Sequence, residues 1–323
     1  MLSSGFPELF LRWSMHELPK GLREAITEIA QGEDRKSLIQ AGQRLSVRYR
    51  EEKGERRRLR QHIEAVAYAC ARMPATYAAL HAVFTDALRF LPPPQTVLDC
   101  GAGTGAAMHA LWDLTCPQQM RCIEKEEEMR HLGRKLAEKC RVPAVFEDGD
   151  LRSVRVEPVD WIVCGYVLGE LEQEDRQRLV QRLWESCKVL ILVEPGTPEG
   201  YECLQGLLQS LPADTHAVAP CKCAPCPLRQ DWCHFSVRVQ RTALHKQIKG
   251  GDAPYEDEKY TYLVLSRQAQ EAAGGRVLRH PRIEPGRITL SLCTQQGIEE
   301  RTVTKKDLLW KQARKCEWGD LIL

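Results

Sequence analysis

The stretch TVLDCGAGTGAAMHALWDL, from Thr96 to Leu114, decides the fold of this chain. A short apolar run ends at Asp99, glycines follow at alternate positions, and an Ala-rich segment with helical spacing comes next. This pattern predicts a strand, a tight loop and a helix. Glycines let the backbone turn sharply and approach a ligand, and the free N–H groups at a helix start favour polar or anionic ligand groups.

The loop glycines Gly101, Gly103 and Gly105 have the spacing GxGxG rather than GxGxxG. That spacing resembles the S-adenosylmethionine loop of class I methyltransferases more than a pyrophosphate-binding loop. Glu124 follows a second apolar run about 20 residues further on, where an acidic residue accepts hydrogen bonds from ribose hydroxyls. We therefore predict a nucleoside cofactor site that includes Asp99, the three glycines and Glu124; the alternative is an α/β turn without a ligand.

Three further apolar runs predict strands that alternate with helices, at Ala144 to Phe146, Val159 to Cys164 and Lys188 to Val193. Alternating strands and helices imply an α/β fold with a parallel sheet and ligands at the carboxyl ends of the strands. Asp150 follows the first of these runs and is predicted to contact adenine, with Asp148 as the competing choice. Gly165, directly after the next run, is placed in the same site.

The segment after the fourth predicted strand shows no recognisable catalytic motif. An Asn-Pro-Pro-aromatic sequence, typical of amino-group methylation, is absent. Cys164 alone would suggest covalent cytosine methylation, but it lacks a neighbouring proline. It is therefore interpreted as a small apolar side chain in a buried strand. The catalytic residues are therefore unassigned.

Composition limits the possible locations of the chain. Its 323 residues, of which 43% are hydrophobic, include no apolar run near the roughly 20 residues of a membrane span. The N-terminus lacks a charged segment followed by an apolar core, and Glu8 and Glu17 argue against a mitochondrial presequence. We expect a cytoplasmic protein without a membrane or DNA partner, in which the 14 cysteines are thiols or metal ligands.

The first ninety residues are predicted to be helical, because apolar residues recur there at three- and four-residue intervals. The predicted helices run from Pro7 to Ile29, Ser37 to Glu52, Glu55 to Arg72 and Pro74 to about Leu91, before the triple proline at 92–94. The segment from 35 to 60 holds ten Lys and Arg against three Glu. Its basic side chains are candidates for phosphate contact or a solvated surface: Arg44, Arg48, Arg56, Arg57, Arg58 and Arg60.

The C-terminal region combines strands with a basic tail. Tyr260 to Leu265 and Arg287 to Leu292 are predicted to form the antiparallel pair that completes a seven-stranded sheet. Trp310 and Trp318 either stack on RNA bases or pack on the core. The cations of the predicted RNA surface are Arg276, Arg279, Arg282, Arg287, Arg301, Lys305, Lys306, Lys311, Arg314 and Lys315.

The second strong signal is APCKCAPCPLRQDWCHFS, residues 219–236. Its prolines prevent regular helix or strand, and an irregular loop can bring several sulfurs together around a soft metal or an iron–sulfur cluster. Four cysteines lie within thirteen positions, namely Cys221, Cys223, Cys226 and Cys233. Cys293 is the best candidate for a distant fourth ligand if only three of them bind, and His234 is the alternative.

Motifs across nearly the whole chain carry a family resemblance. They are ARMPATYAAL (71–80), LDCGAGTGAA (98–107), YVLGEL (166–171), LVEPGTPEG (192–200), the cysteine segment, LCTQQGIEERTVTKKD and ARKCEWGD. In these the chain resembles the methyltransferase-like proteins of the mitochondrial small ribosomal subunit and their bacterial relatives. The resemblance implies a class I methyltransferase (Rossmann-like) fold, association with small-subunit ribosomal RNA, and a [4Fe-4S] cluster on Cys221, Cys226, Cys233 and Cys293. The first inter-cysteine segment is shorter than in the family and contains Cys223, which leaves the choice between Cys221 and Cys223 open.

The combined prediction has four parts: an N-terminal helical domain (1–91), an S-adenosylmethionine-binding α/β core (92–200), a cysteine-rich metal insertion (201–255) and C-terminal strands with a basic tail (256–323). The predicted function is an S-adenosylmethionine-binding methyltransferase that acts on small-subunit ribosomal RNA or its assembly intermediate. The alternative is a non-catalytic assembly factor that uses the methyltransferase fold as an RNA-binding scaffold. Zinc is the alternative to the iron–sulfur cluster, since both take thiolate ligands.

Overall fold

The computed structural model describes residues 15–51, 61–222, 226–228, 231–270 and 274–322. Four helices precede the first strand: α1 (Lys20–Gln31), α2 (Arg35–Glu51), α3 (His62–Ala71) and α4 (Met73–Ala87). The first predicted helix begins later than expected, because His16 pairs in extended conformation with Val239. α4 ends ahead of the triple proline, which lacks the N–H groups that would continue a helix.

The glycine-rich stretch folds as predicted into β1 (Thr96–Cys100), a loop and α5 (Ala106–Thr115). The α/β unit continues with β2 (Gln119–Glu124), α6 (Glu127–Lys139), β3 (Ala144–Asp148), β4 (Val159–Gly165), α7 (Gln173–Glu185), β5 (Cys187–Pro195) and α8 (Pro198–Ser210). Strands β1 to β5 pair in parallel, as the alternation of strands and helices predicts.

The rest of the chain adds strands to this sheet and builds a second one. Its elements are β6 (His216–Ala219), β7 (Phe235–Gln240), α9 (Ala243–Lys249), β8 (Tyr255–Ser266), β9 (Gly275–Val277), β10 (Arg282–Glu284), β11 (Arg287–Thr294), β12 (Gly297–Thr304), α10 (Trp310–Ala313) and β13 (Leu321–Ile322). The main sheet has the order β3-β2-β1-β4-β5-β8-β6, and β7 pairs with β8 as an eighth strand. β8 runs antiparallel to β5, so the class I methyltransferase prediction for the fold is confirmed.

One predicted strand partner is wrong, and the main sheet has eight strands instead of the predicted seven. The Arg287 to Leu292 segment forms a strand, but it lies in β11 of a second sheet, β10-β11-β9-β13, with β12 also on β11. The reason is that β6 and β7 pair with β8 and take the places beside it in the main sheet. The cysteine-rich segment therefore contributes strands to the sheet as well as a loop.

Alternate residues of the central strands enter two cores. Val163 faces the core shared with α1 to α6, whereas its neighbour Cys164 faces the core under α7 and α8. The second sheet has its own small core, which includes Leu290 and Leu292. The N-terminal helices thus cover one face of the main sheet and reach its carboxyl edge.

Candidate cofactor-binding site

A cavity of about 740 Å³ lies at the carboxyl ends of the parallel strands. This is the edge where α/β sheets bind ligands. Among its lining residues are five of the seven predicted cofactor residues, namely Gly101, Gly103, Glu124, Asp150 and Gly165. The helices add Ser46, Tyr68, Ala71 and Arg72, so the N-terminal region forms one wall.

The glycine loop has a backbone that other residues rarely adopt. Gly101 and Gly103 have φ of +73° and +55°. A Cβ atom on Gly101 would lie 2.6 Å from Cγ2 of Val167, a separation that real Cβ atoms essentially never show. Glycine is therefore required by conformation at both positions and by close packing at Gly101.

Glu124 is held against this loop by two backbone hydrogen bonds. The N–H of Gly103 donates to Oε2 at 2.9 Å, and the N–H of Glu126 donates to Oε1 at 2.9 Å. A carboxylate has about four acceptor positions. Glu124 is thus oriented by the protein and retains capacity to accept hydrogen bonds from a diol.

The two aspartates considered for the adenine position differ in their surroundings. Asp150 lines the cavity and accepts the N–H of Arg152 at 2.9 Å. Asp148 is not among the lining residues; its exposed side chain pairs with Arg130 at 2.7 Å. Of the two aspartates, only Asp150 therefore lies where a ligand in the cavity would meet its side chain.

Asp99 and Gly105 lie behind the cavity wall. Asp99 is 4% exposed, and its Oδ2 has no hydrogen-bond partner among the described residues. Burial, with Glu124 nearby, raises the pKa of Asp99 to about 7. Gly105 has φ of +90° at the start of α5, where a Cβ would lie 2.8 Å from Cε of Met108. Neither residue is among those that line the cavity, so their cofactor roles stay predictions.

Tyr166, directly after Gly165, lines the cavity in the left-handed conformation, with φ of +61°. The Arg72 guanidinium lies over its ring, 5.0 Å from the centroid. Arg72 in turn donates two hydrogen bonds to Glu258, at 2.8 and 2.9 Å. The sequence analysis missed these three residues, although Arg72 and Tyr166 lie in the quoted motifs ARMPATYAAL and YVLGEL.

Glu194, at the end of β5, is a fourth residue that the sequence did not predict. Its Oε1 accepts the N–H of Leu168 at 2.9 Å, which holds the segment after β4. Burial raises the pKa of Glu194 to about 7, against the hydrogen bonds from Leu168 and Gly169 that favour the charged form. The side chain is 3% exposed, so it supports the cavity wall more than it presents a surface.

Cys164 is fully buried in the core under α7 and α8. Contact with the Cys100 thiol and burial raise its pKa well above the ordinary value. A thiol that rarely ionises to the thiolate is a poor nucleophile. The interpretation of Cys164 as a packed core side chain agrees with this placement.

Three of the predicted metal ligands lie near one another. Burial raises the pKa of the Cys233 thiol, and Cys221 and Cys226 raise it further. All three also act on the Tyr201 phenol, whose pKa is raised first by burial and then by Cys226. Cys223 lies outside the described residues.

Cys293 lies on β11 of the second sheet, opposite Arg276. Its buried side chain belongs to the large apolar core, which also includes Cys233, whereas its neighbour Leu292 faces the core of the second sheet. Among the described residues, no three Cys, His, Asp or Glu side chains are arranged to hold one metal ion. His234 instead stacks on Trp232, with ring centroids 5.2 Å apart.

The predicted basic surfaces are less uniform than the sequence suggests. Arg276 is 3% exposed, so its assignment to an RNA surface is wrong; it pairs with buried Asp86 at 2.7 Å. Four other cations of the tail pair with acids: Arg279 with Asp231, Arg282 with Glu300, Arg287 with Glu284, and Arg301 with Glu299. Of the N-terminal candidates, Arg44 is exposed, the side chain of Arg48 is not described, and Arg56, Arg57, Arg58 and Arg60 lie outside the described residues.

Both C-terminal tryptophans are partly buried. Trp310 packs on the core of the second sheet. Trp318 packs on the large core and meets His234 edge-on at 4.9 Å. Within the described parts of the chain, none of the helices has the length and apolar character that crossing a membrane would need.

A known protein family matches most of the chain. The family model "Mitochondrial small ribosomal subunit Rsm22" matches residues 62–322. No curated protein matches the chain significantly. Among solved structures, a proposed RNA methyltransferase from Pyrococcus horikoshii is similar with 13% identity and a TM-score of 0.40, over 70% of this chain and 95% of that one. TehB from Haemophilus influenzae shares 15% identity with a TM-score of 0.41, over 58% and 62% of the chains. Magnesium protoporphyrin IX methyltransferase from Synechocystis, with bound S-adenosylmethionine, shares 13% identity with a TM-score of 0.40, over 68% and 90%.

Proposed function

Because the chain belongs to the mitochondrial small ribosomal subunit Rsm22 family, we propose that it binds S-adenosylmethionine and methylates small-subunit ribosomal RNA or its assembly intermediate. The observation that carries the cofactor assignment is the joint position of Gly101, Gly103 and Glu124 on one cavity wall. A glycine turn without bulk and a carboxylate fixed by backbone N–H groups suit a nucleoside with a free diol.

Four of the cavity residues have a proposed task. Gly101 and Gly103 let the backbone approach the cofactor, Glu124 accepts the ribose hydroxyls, and Asp150 accepts the exocyclic amine of adenine. The sulfonium of the cofactor supplies an activated methyl group, so the protein mainly has to align the acceptor with it.

The test is methyl transfer with purified protein and labelled S-adenosylmethionine. The substrates are small ribosomal subunits isolated from cells that lack this protein. We expect label in the RNA of these subunits and none in subunits from wild-type cells, whose sites are already methylated. Binding of the cofactor without any transfer would instead favour the non-catalytic assembly factor.

We also propose that Cys221, Cys226, Cys233 and Cys293 hold a [4Fe-4S] cluster. A cluster of this type binds each thiolate at a different iron atom, so its ligands surround a group instead of converging on one ion. The proximity of the three loop thiols supports this donor set, and Cys293 pairs in the second sheet with Arg276, which donates to the carbonyl of Pro220, directly before Cys221. In this role the cluster ties the loop to the second sheet and takes no part in methyl transfer.

Anaerobic purification followed by spectroscopy and metal analysis tests the cluster. A brown protein with about four iron atoms and broad visible absorption is expected. A colourless protein with one bound zinc would show that the same sulfurs hold zinc and not an iron–sulfur cluster.

For location, we keep the cytoplasm as the proposal, with the ribosomal small subunit as partner. The family description names the mitochondrion. Imaging of the tagged full-length protein in its own cells decides between the two.

A further inference from the structure

The cavity extends beyond the part that the proposed cofactor would fill. The cofactor residues lie at the ends of β1, β2, β3 and β4, whereas Pro195, Gly196, Glu258 and Lys259 line it at β5 and β8. In the sheet order β3-β2-β1-β4-β5-β8, the latter group lies on the far side of β4. Small-molecule sites occupy about 300–1,000 Å³. This cavity of about 740 Å³ continues past the predicted cofactor residues to the ends of β5 and β8.

Tyr166 stands at the boundary between the two parts. It directly follows the last residue of β4, the strand that separates them, and it lines the cavity as a partly buried residue. Its backbone conformation, with φ of +61°, is rare for a bulky side chain. Conformations of this kind cost free energy and persist where the surroundings impose them, which is common at ligand sites.

The surroundings of Tyr166 fix the plane of its ring. Arg72 covers one face with its guanidinium, and Glu258 holds that guanidinium through two hydrogen bonds. Arg72 lies between α3 and α4, and Glu258 lies in β8. Two separate parts of the chain therefore hold the ring of Tyr166, which follows β4. Burial raises the pKa of the Tyr166 phenol, and Glu258 raises it further, so the side chain is a neutral aromatic surface.

We propose that Tyr166, held by Arg72 and Glu258, is the stacking platform for the RNA base that accepts the methyl group. The inference rests on the proposed function and names its substrate class: a single base taken out of its stack, not a ribose hydroxyl or a protein side chain. Enzymes that act on bases extrude them and hold them against aromatic or apolar side chains. A rigid aromatic ring can stack on a planar heterocycle. The carboxylates around the ring can accept the N–H groups of the base.

The chain contains a matched arrangement outside the cavity. The Arg238 guanidinium lies 3.9 Å from the ring centroid of Tyr255, and it donates to Asp257 at 2.8 and 2.9 Å. This group repeats the tyrosine, arginine and carboxylate on the protein surface, and none of its members lines the cavity. Tyr255→Leu is therefore the control for loss of a clamped tyrosine as such.

The experiment compares Tyr166→Leu, Tyr166→Phe and Tyr255→Leu. For each we measure S-adenosylmethionine affinity by calorimetry and kcat/KM for methyl transfer to small subunits from cells that lack the protein. Loss of base stacking predicts a decrease in kcat/KM of about 5- to 150-fold for Tyr166→Leu, with cofactor affinity unchanged. Tyr166→Phe, which keeps the ring, stays within a few-fold of wild type, as does Tyr255→Leu.

Ultraviolet crosslinking of the wild-type protein to the same subunits gives a readout that needs no transfer. We expect a nucleotide attached to the peptide that contains Tyr166. Unchanged kcat/KM in Tyr166→Leu, or crosslinks confined to other peptides, would overturn the platform even if methyl transfer itself is confirmed. Conversely, a crosslink at Tyr166 in a protein that binds cofactor but transfers nothing would support the platform while the enzymatic proposal fails.

Discussion

Glu124 and Gly103 are joined by a hydrogen bond of 2.9 Å from the backbone N–H of the glycine to the carboxylate. The bond links the end of β2 to the loop after β1, two segments that lie 21 residues apart. The bond therefore orients the Glu124 carboxylate, which we propose to bind the ribose, in the cofactor-free protein. Preorganisation of this kind lowers the entropic cost of binding.

Replacement of Glu124 by Gln should weaken S-adenosylmethionine binding. The amide keeps one acceptor oxygen but loses the charge, and hydrogen bonds to charged groups contribute about 1.5–3 kcal/mol. We expect affinity to fall about 10- to 100-fold by calorimetry. The melting temperature should also fall slightly, since the amide can accept only one of the two backbone hydrogen bonds; equal affinity would contradict the ribose assignment.

Gly103→Asp should abolish binding in the same assay. The new side chain would have to adopt φ of +55° and would put a second carboxylate beside Glu124. Gly206→Ala is the control, because Gly206 lies on α8 with open space around its Cβ position. That variant should bind normally and be slightly more stable, by up to about 1 kcal/mol. Full binding by Gly103→Asp would exclude this loop as the cofactor site.

The buried carboxyl of Asp99 should make stability depend on pH. Its folded pKa of about 7 is raised above the unfolded value of 3.8. Its contribution is therefore fully present below about pH 4 and is lost as the pH rises through 7. Asp99→Asn removes this loss, so the variant should gain stability relative to wild type as the pH rises from 5 to 8, by a few kcal/mol. Urea unfolding at both pH values measures the difference; a constant difference would contradict the prediction.

Asp86→Ala should strongly destabilise the protein. Arg276 donates two hydrogen bonds to Asp86, at 3.1 and 2.7 Å, and both side chains are almost fully buried. Removal of one member leaves an uncompensated buried charge, which costs about 3–5 kcal/mol. Denaturant unfolding measures the loss. The double variant Asp86→Ala with Arg276→Met should recover part of the lost stability. No recovery would show that loss of the other hydrogen bonds of Arg276 costs more than its unpaired charge.

Serine variants of the proposed cluster ligands should lose iron. Cys233→Ser and Cys293→Ser are expected to purify with little iron and weak visible absorption. Cys140→Ser, at the end of α6 and outside the thiol group, is the control and should keep wild-type iron. The pair Cys221→Ser and Cys223→Ser decides which of the two binds, because only the ligand variant should lose the chromophore. Full iron content in Cys293→Ser would remove the second sheet from the site.

The glycine stretch predicted its own local structure well. Strand, loop and helix follow from the order of apolar residues, glycines and alanines, all of which act over short distances. Glu124 could be placed because βαβ geometry brings the ends of adjacent parallel strands together. Asp150 and Gly165 were located by the same rule.

Relationships across long separations were not predictable. The alternation in Arg287 to Leu292 identified a strand, but it carries no information about which sheet the strand joins. Arg276 was assigned to the surface because its partner Asp86 lies 190 residues away. The left-handed conformation of Tyr166 also leaves no trace in composition, since it is imposed by Arg72, Glu258 and the rest of the fold.

The Arg276 side chain also donates to the carbonyl of Pro220 at 2.6 Å and to that of Gly319 at 2.8 Å. One guanidinium thus connects helix α4, the residue before Cys221 and the last turn of the chain. These contacts therefore form only when residues up to Gly319 are present. A nascent chain that stops before the second sheet lacks the side chain that holds the carbonyl of Pro220.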